Sequence, residues 1–343
     1  MQSQDQTRNR RMSRIFCRWA AALATVAIMA GCAPTNRNQP MHRFNEPTRT
    51  CGVGRFVVDI PAAMTFAGGY SMRTFDLKET VWDTNHAQEQ PENLWNEIIA
   101  EIQKLPFPEG IPNALLEAKQ IDDIGNGLRF AFSHKDALRP KRGYLDALLI
   151  TDTTGLWIAG FGKATGKDFM YRKSTDIARA YRAPEKRFDR AAVIDGRDAF
   201  YLRYGAVDLP FEYKESVDIV FRKHPLDKQL VLTINTRVVD RVNPVGMLEG
   251  LAAALAANIA PGVEVEKIRT RKRTVAGLAG EEMILKGTER GKTMLNFQWY
   301  YPGQANDSLH PRMLLIMDAN DGGVEDKIDL WDAILDSLRP AGR

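Results

Sequence analysis

The sequence predicts an α+β protein of two domains, each a mainly antiparallel sheet covered by one or two helices. Three observations carry that expectation. Short runs with apolar residues at every second position recur along the chain and outnumber the helical stretches. The connection His224–Lys228 is too short for a parallel crossover, so the runs Ser216–Arg222 and Gln229–Thr236 form a hairpin. A charged stretch from Arg179 to Arg190, carrying Pro184 and few apolar residues, separates an N-terminal domain, 48–183, from a C-terminal domain, 184–343.

The chain opens with Arg8, Arg10, Arg11, Arg14 and Arg18, then one apolar run from Trp19 to Ala30, then Gly31 and Cys32. Cations resist crossing the inner membrane while a short apolar stretch enters the translocation channel, so residues 1–31 are expected to be a signal peptide. The run falls short of the ~20 apolar residues that span a bilayer. Met29-Ala30-Gly31-Cys32 resembles the bacterial lipobox, with Met29 where Leu is usual. Lipidation is expected at Cys32, attaching the mature chain to a membrane, and translation starts at Met1 or at Met12. Ala33, rather than Asp, follows the cysteine; by resemblance to enterobacterial sorting this favours the outer membrane, facing the periplasm. Residues 32–47 are polar and proline-rich, the composition of a flexible tether.

The first strand is expected over Gly54–Ile60, stopped by Pro61, with Phe56, Val58 and Ile60 on one face. A helix follows from about Pro91 to Leu105, striped by Leu94, Ile98, Ile102 and Leu105 and ended by Pro106 and Pro108. Strands are expected at Leu128–Phe132, Tyr144–Ile150 and Leu156–Phe161. The second half opens with Ala199–Val207 and the hairpin. Asn243 and Pro244 then start a helix that runs to about Ala260. Strands at Glu281–Leu285, Met294–Tyr301 and Arg312–Met317 precede a last helix that carries Ile328, Trp331, Leu335 and Leu338 and ends at Pro340.

Charge excludes one class of partner. The formal net charge is +4, from 47 basic and 43 acidic residues. Residues 1–31 hold five Arg and one Asp, so the mature chain keeps 42 of each sign (47 − 5 and 43 − 1) and shows no nucleic-acid footprint. Of three cysteines, Cys17 leaves with the leader and Cys32 takes the lipid. Cys51 is left without a protein partner, so no internal disulfide forms; burial against the first strand is expected.

Motifs for chemistry fail one by one. There is no G-x-S-x-G elbow, and Ser71 in Gly68–Arg73 lacks the flanking glycines. Histidines stand at 42, 86, 134, 224 and 310, with no i, i+4 pair to hold zinc. Gly160–Lys167 misses the phosphate-loop spacing and has Asp168 where magnesium needs Ser or Thr. Asp318–Gly323 only faintly resembles a calcium loop; a strand-to-helix connection with Asp or Asn caps is the simpler account. The basic run Lys267–Arg273 is expected to be a solvated strand face, and Asp307, Ser308 and His310 a solvated loop. No catalytic residue, metal or cofactor is therefore expected, and binding is the favoured class of function.

Several segments resemble the type VI secretion phospholipase-immunity family. Cys51–Pro61 is similar to the opening of its mature region. Phe200–Glu215, with the hairpin ending Asn235-Thr236-Arg237, is similar to the start of its C-terminal domain. Gly277–Glu282, Phe297-Gln298-Trp299 and Leu330–Arg339 continue the likeness in order. The chain departs at Leu202-Arg203-Tyr204, where members often carry a Gly- and Asp-rich turn. The resemblance implies two α+β domains that clasp a partner lipase effector like a claw and obstruct its lid or substrate entrance without a reaction. Such a task needs a dissociation constant near nanomolar, about −12 kcal/mol, and an interface of ~1,600 Å² or more. The contact residues are not legible at this stage. The alternatives are an envelope lipoprotein of structural or trafficking role and, third, a hydrolase of unrecognised type.

Overall fold

The structure is a computed structural model that describes residues 46–83, 89–105, 114–134, 139, 141–184, 198–210, 214–243, 246–249, 263–289 and 291–342. The leader, Cys32, most of the tether, His42 and His86 lie outside the described residues. So does most of the helix expected from Asn243 to Ala260, of which a helical turn at 247–249 is described.

A twelve-stranded sheet organises the molecule, and every pairing in it is antiparallel. Its N-terminal part is built by β3 (Thr65–Met72), β4 (Phe75–Val81), β5 (Leu115–Ile121), β6 (Leu128–Ser133), β7 (Arg142–Ile150) and β8 (Thr154–Lys163). The short strands β9 (Tyr181–Arg182), β10 (Phe200–Tyr201) and β11 (Ala206–Val207) form a small antiparallel sheet of their own. The C-terminal part of the large sheet is built by β12 (Ser216–His224), β13 (Asp227–Arg237), β14 (Val263–Val275), β15 (Leu278–Glu289), β16 (Lys292–Tyr301) and β17 (Arg312–Asn320). The order is β14-β15-β16-β17-β13-β12-β3-β4-β8-β7-β6-β5, so the two parts join edge to edge where β3 pairs with β12. At that seam Gly68 has φ +123°, and a Cβ there would collide with the Asp218 carbonyl oxygen; only glycine fits.

Side chains alternate across a strand, so register assigns each residue to a face. One face is continuously apolar. Phe297, Met317, Leu232 and Phe221 carry it through the C-terminal strands, and Leu77, Ile158, Ala147 and Phe130 through the N-terminal ones, all buried. A helix α1 (Glu89–Gln103) lies against β5 and β7, packing Ile98, Ile99 and Ile102 on Ala131 of the other face. On the apolar face, α2 (Lys167–Ala180) covers β6–β8, with the Tyr171 ring 5.1 Å from that of Phe130. There too α3 (Val324–Ser337) sets the Trp331 ring 5.8 Å from Phe297.

A second sheet crosses the length of the chain. β1 (Thr48–Gly52) pairs with β2 (Phe56–Pro61), and β2 pairs with the last strand, β18 (Arg339–Pro340). Phe56, Val58 and Ile60 are buried, as their alternation requires, and Cys51 is 1% exposed. The Ser337 hydroxyl accepts from the Asp59 backbone N–H at 2.9 Å. The last helix thus stops at Ser337, short of the expected Pro340, because Leu338 turns extended to enter β18. Among buried charges, Arg55 (4% exposed) donates to Glu215 at 2.6 Å and to the Asp198 carbonyl at 3.0 Å, tying the start of the N-terminal part to two points of the C-terminal part.

Several elements lie outside the sequence expectation. α2 presents Met170, Ser174, Ile177 and Ala178 to the core among lysines and arginines, so its stripe is thin. β14 alternates charges rather than apolar residues, and β3 spends its centre on Ala67, Gly68 and Gly69.

Candidate functional site

The second face of the large sheet differs from the first. It is covered at one end by α1 and at the other by Met247 and Leu248 packed on Met283 and Leu285. Between those covers, the side chains of β17, β13, β12, β3, β4 and β8 that point to this face are half-buried or exposed. Ala67, Gly69 and Ser71 of β3 give the middle almost no relief, with Asp218 on one side and Asp76 on the other, both exposed.

Polar groups organise the C-terminal part of this face. The Asn296 amide donates to Asp318 at 2.7 Å, Gln298 donates to the Asn296 oxygen at 2.7 Å, and Asn235 donates to Asp218 at 2.7 Å. Burial pushes the Asp318 carboxyl up to about 6, and the Asn296 bond offsets only part of that. The N-terminal part is aromatic. Trp157 donates from Nε1 to Asp146 at 3.2 Å, with the Lys78 ammonium 5.9 Å from its ring. Phe161 is 55% exposed, 6.2 Å from Tyr144, with the Arg142 guanidinium 4.7 Å from its ring. Sequence reasoning missed this surface. A signal existed in Leu156–Phe161, which is apolar at both parities, as a strand buried on one side only has no need to be.

The groups singled out in the sequence have structural employment. Lys267–Arg273 is solvated only in part: Lys267 and Lys272 are exposed, while the three arginines are engaged. Arg269, Arg271 and Arg273 converge on Glu282, whose side chain is fully buried, and on Asp332 and Asp336 one helical turn apart in α3. The Trp331 indole also donates to Glu282 at 2.8 Å. Desolvation opposes ionisation of Glu282 and Asp332, but the guanidiniums outweigh it and hold both carboxyls below their ordinary range. Alternation explains the correction: residues at positions 269, 271 and 273 share the face that looks at α3.

Asp318–Gly323 leads into α3, yet its carboxylates do not cap the helix; the N-cap is Gly323 at φ 59°. A shallow cavity of about 290 Å³ beside it is lined by Asp227, Asn320, Asp321 and Asp326. The Lys327 ammonium, 4% exposed, donates to the Asn320 and Gly322 carbonyls at 2.7 Å each and stands 3.4 Å from Asp227. An internal cation thus occupies the place a metal would take. Among the described residues no group of acidic, His or Cys side chains is gathered for a metal.

In Gly160–Lys167 the glycine at 160 clears the Phe75 ring, and Lys167 is engaged by Glu117 at 2.6 Å. Ser71 lies within β3, paired with Ser216 and Asp76. Asp307 accepts from the Leu309 and His310 backbone N–H groups and meets His310 Nδ1 at 2.7 Å, an ordinary half-buried turn. His224 is 1% exposed, its Nδ1 accepting from the Leu226 N–H and its Nε2 facing Glu46 at 2.6 Å. That contact secures the end of the expected tether to the β12–β13 hairpin.

One face of the large sheet is covered and the other is open between its two covers, and the charged groups of β14 and α3 are turned to internal pairing. Residues 202–341 match the family described as Tle cognate immunity protein 4 C-terminal domain. No curated protein matches the sequence. Among solved structures, the apo immunity protein TplEi of the type VI system of Pseudomonas aeruginosa is similar at TM-score 0.66 and 18% identity, over 86% of this chain and 97% of that one. The Tle4–Tli4 complex contains a chain similar at TM-score 0.67 and 17% identity, over 86% of this chain and 98% of that one. TplEi complexed with an "L" peptide is similar at TM-score 0.61 and 18% identity, over 86% and 99%. At these identities the likeness is one of fold.

Proposed function

We propose that this protein is an immunity protein that binds and inhibits a cognate type VI secretion phospholipase effector, acting as a stoichiometric inhibitor and not as an enzyme. The family match over residues 202–341 carries the reading. The complex formed by a protein of similar fold, Tli4 with Tle4, supports it. Inhibition follows from occlusion: a tightly bound partner over the lid or substrate entrance of a lipase prevents its engagement with lipid.

The leader and the Met29-Ala30-Gly31-Cys32 motif support a periplasmic lipoprotein anchored through Cys32 at the outer membrane. A tether of 14 residues from Cys32 to the pinned Glu46 spans at most ~50 Å. Anchoring within that reach concentrates the inhibitor where a phospholipase must work. The test is to express the lipase encoded beside this gene in the periplasm, with and without the protein. Survival of the co-expressing cells and co-purification of the pair are expected; absence of both rejects the function. Cys32→Ser is expected to release the protein from the membrane fraction.

A further inference from the structure

The open sheet face has the dimensions of an interface. The six strands from β17 to β8 stand at a spacing of ~4.8 Å, giving a width of ~24 Å, and about seven residues per strand at ~3.3 Å give a length of ~23 Å. A flat footprint of ~550 Å² follows, about two-thirds of the ~800 Å² per partner that a standard complex buries. The width also matters because one partner can then touch both ends of the face at once.

Those two ends differ in chemistry. Aromatic rings flanked by cations are the residue types that dominate binding energy at interfaces. Here the rings of Trp157 and Phe161, with Tyr144 and Arg142 beside them, stand on the open face, and Phe161 remains 55% exposed. At the other end Asp318 receives the Asn296 amide, and Lys286, two strands away on β15, belongs by alternation to the opposite face. Lys286 is engaged by Asp321 at 3.1 Å. A carboxylate held up to about 6 by burial costs the folded state free energy at neutral pH. An incoming guanidinium or ammonium would recover that cost on binding.

Resting on the immunity reading above, we propose that the open face of β17, β13, β12, β3, β4 and β8 is the surface that receives the lipase, with Phe161 and Trp157 as apolar anchors and Asp318 as the receptor for a basic side chain of that partner. Ala67, Gly69 and Ser71 let the partner approach the backbone between the two ends. The seam at Gly68 places both contact regions on one sheet, so a single rigid partner bridges them.

The experiment measures the affinity of the leaderless Cys32→Ser protein for the lipase encoded beside its gene, by calorimetry at neutral pH. Phe161→Ala is expected to weaken binding at least 30-fold and Asp318→Asn at least tenfold, both with unchanged circular dichroism. Leu226→Ser, at the tip of the β12–β13 hairpin and 44% exposed, is expected to leave affinity within threefold. Tight binding by the parent protein together with full affinity in both face variants would overturn the surface while leaving the immunity function standing. Failure of the parent protein itself to bind would remove the function, and this proposal with it.

Discussion

Glu282→Gln tests the charge cluster that fastens α3 to β14 and β15. The substitution keeps shape and removes one charge. Glu282 has no exposed side-chain surface and receives Arg269 at 2.6 Å, Arg273 at 3.1 Å and the Trp331 indole at 2.8 Å, with Arg271 on its second oxygen. Removing one partner of a buried pair costs about 3–5 kcal/mol. Arg271 is 45% exposed, so water screens it, and Asp332 remains as counter-ion; the lower end, about 3 kcal/mol, is therefore expected. At roughly 2–3 °C per kcal/mol for a body of this size, the midpoint falls by ~6–9 °C. Urea unfolding of the leaderless Cys32→Ser protein at pH 7, paired with calorimetry, reads both. The Glu282 and Asp332 carboxyls lie below their unfolded values, so their contribution is full above the ordinary carboxylate range and is lost as pH falls through it. The gap between parent and variant must therefore shrink in acid. A loss under ~1 kcal/mol at pH 7, or a gap that widens below pH 4, refutes the reasoning.

Other perturbations probe separate parts of the fold. Lys327→Met leaves the Asn320 and Gly322 carbonyls and Asp227 without their cation; a loss of about 3 kcal/mol is expected in urea unfolding, and a neutral result would show that the ammonium is dispensable. Gly68→Ala drives a methyl into the Asp218 carbonyl at a backbone angle that alanine avoids, so at least ~2 kcal/mol or insolubility is expected, and a normal midpoint contradicts the seam geometry. Asp318→Asn removes a carboxylate whose folded pKa, about 6, exceeds the unfolded one; the variant should gain stability at pH 7 by ~1–2 kcal/mol, and the gain should fade as pH drops from 6 to 4. Cys51, at 1% exposure, should react with a thiol reagent only on unfolding; rapid reaction in the native protein contradicts its burial.

Elements whose burial is one-sided were legible in the sequence. Val217, Ile219 and Phe221 face Leu232 and Ile234 across a short turn, and this alternation set the hairpin and its register. Trp331 and Leu335 likewise announced the last helix. The extent of β14 and the inward role of its arginines stayed hidden because Arg269, Arg271 and Arg273 answer to Glu282 on another strand and to Asp332 on a helix, distances no local window covers. The edge pairing of β3 with β12 was hidden for a related reason: Gly68 and Gly69 carry no hydrophobic signal, and their fit depends on a backbone about 150 residues away. The open face was overlooked because periodicity marks what is covered, and an uncovered Phe161 counts the same as a buried one.

The pairing of β2 with β18 has a consequence for assembly. Phe56, Val58 and Ile60 are synthesised early, yet their neighbour Arg339-Pro340 emerges roughly 280 residues later. Until then the layer over the apolar sheet lacks its final strand and the closing bonds from Ser337 and Arg339 to Asp59. Contacts of such sequence separation form late, since the chain must close its longest loop to make them. The protein therefore completes itself only when β18 reaches β2, and a chain stopped before Arg339 would present an unfinished edge to whatever quality control surveys it.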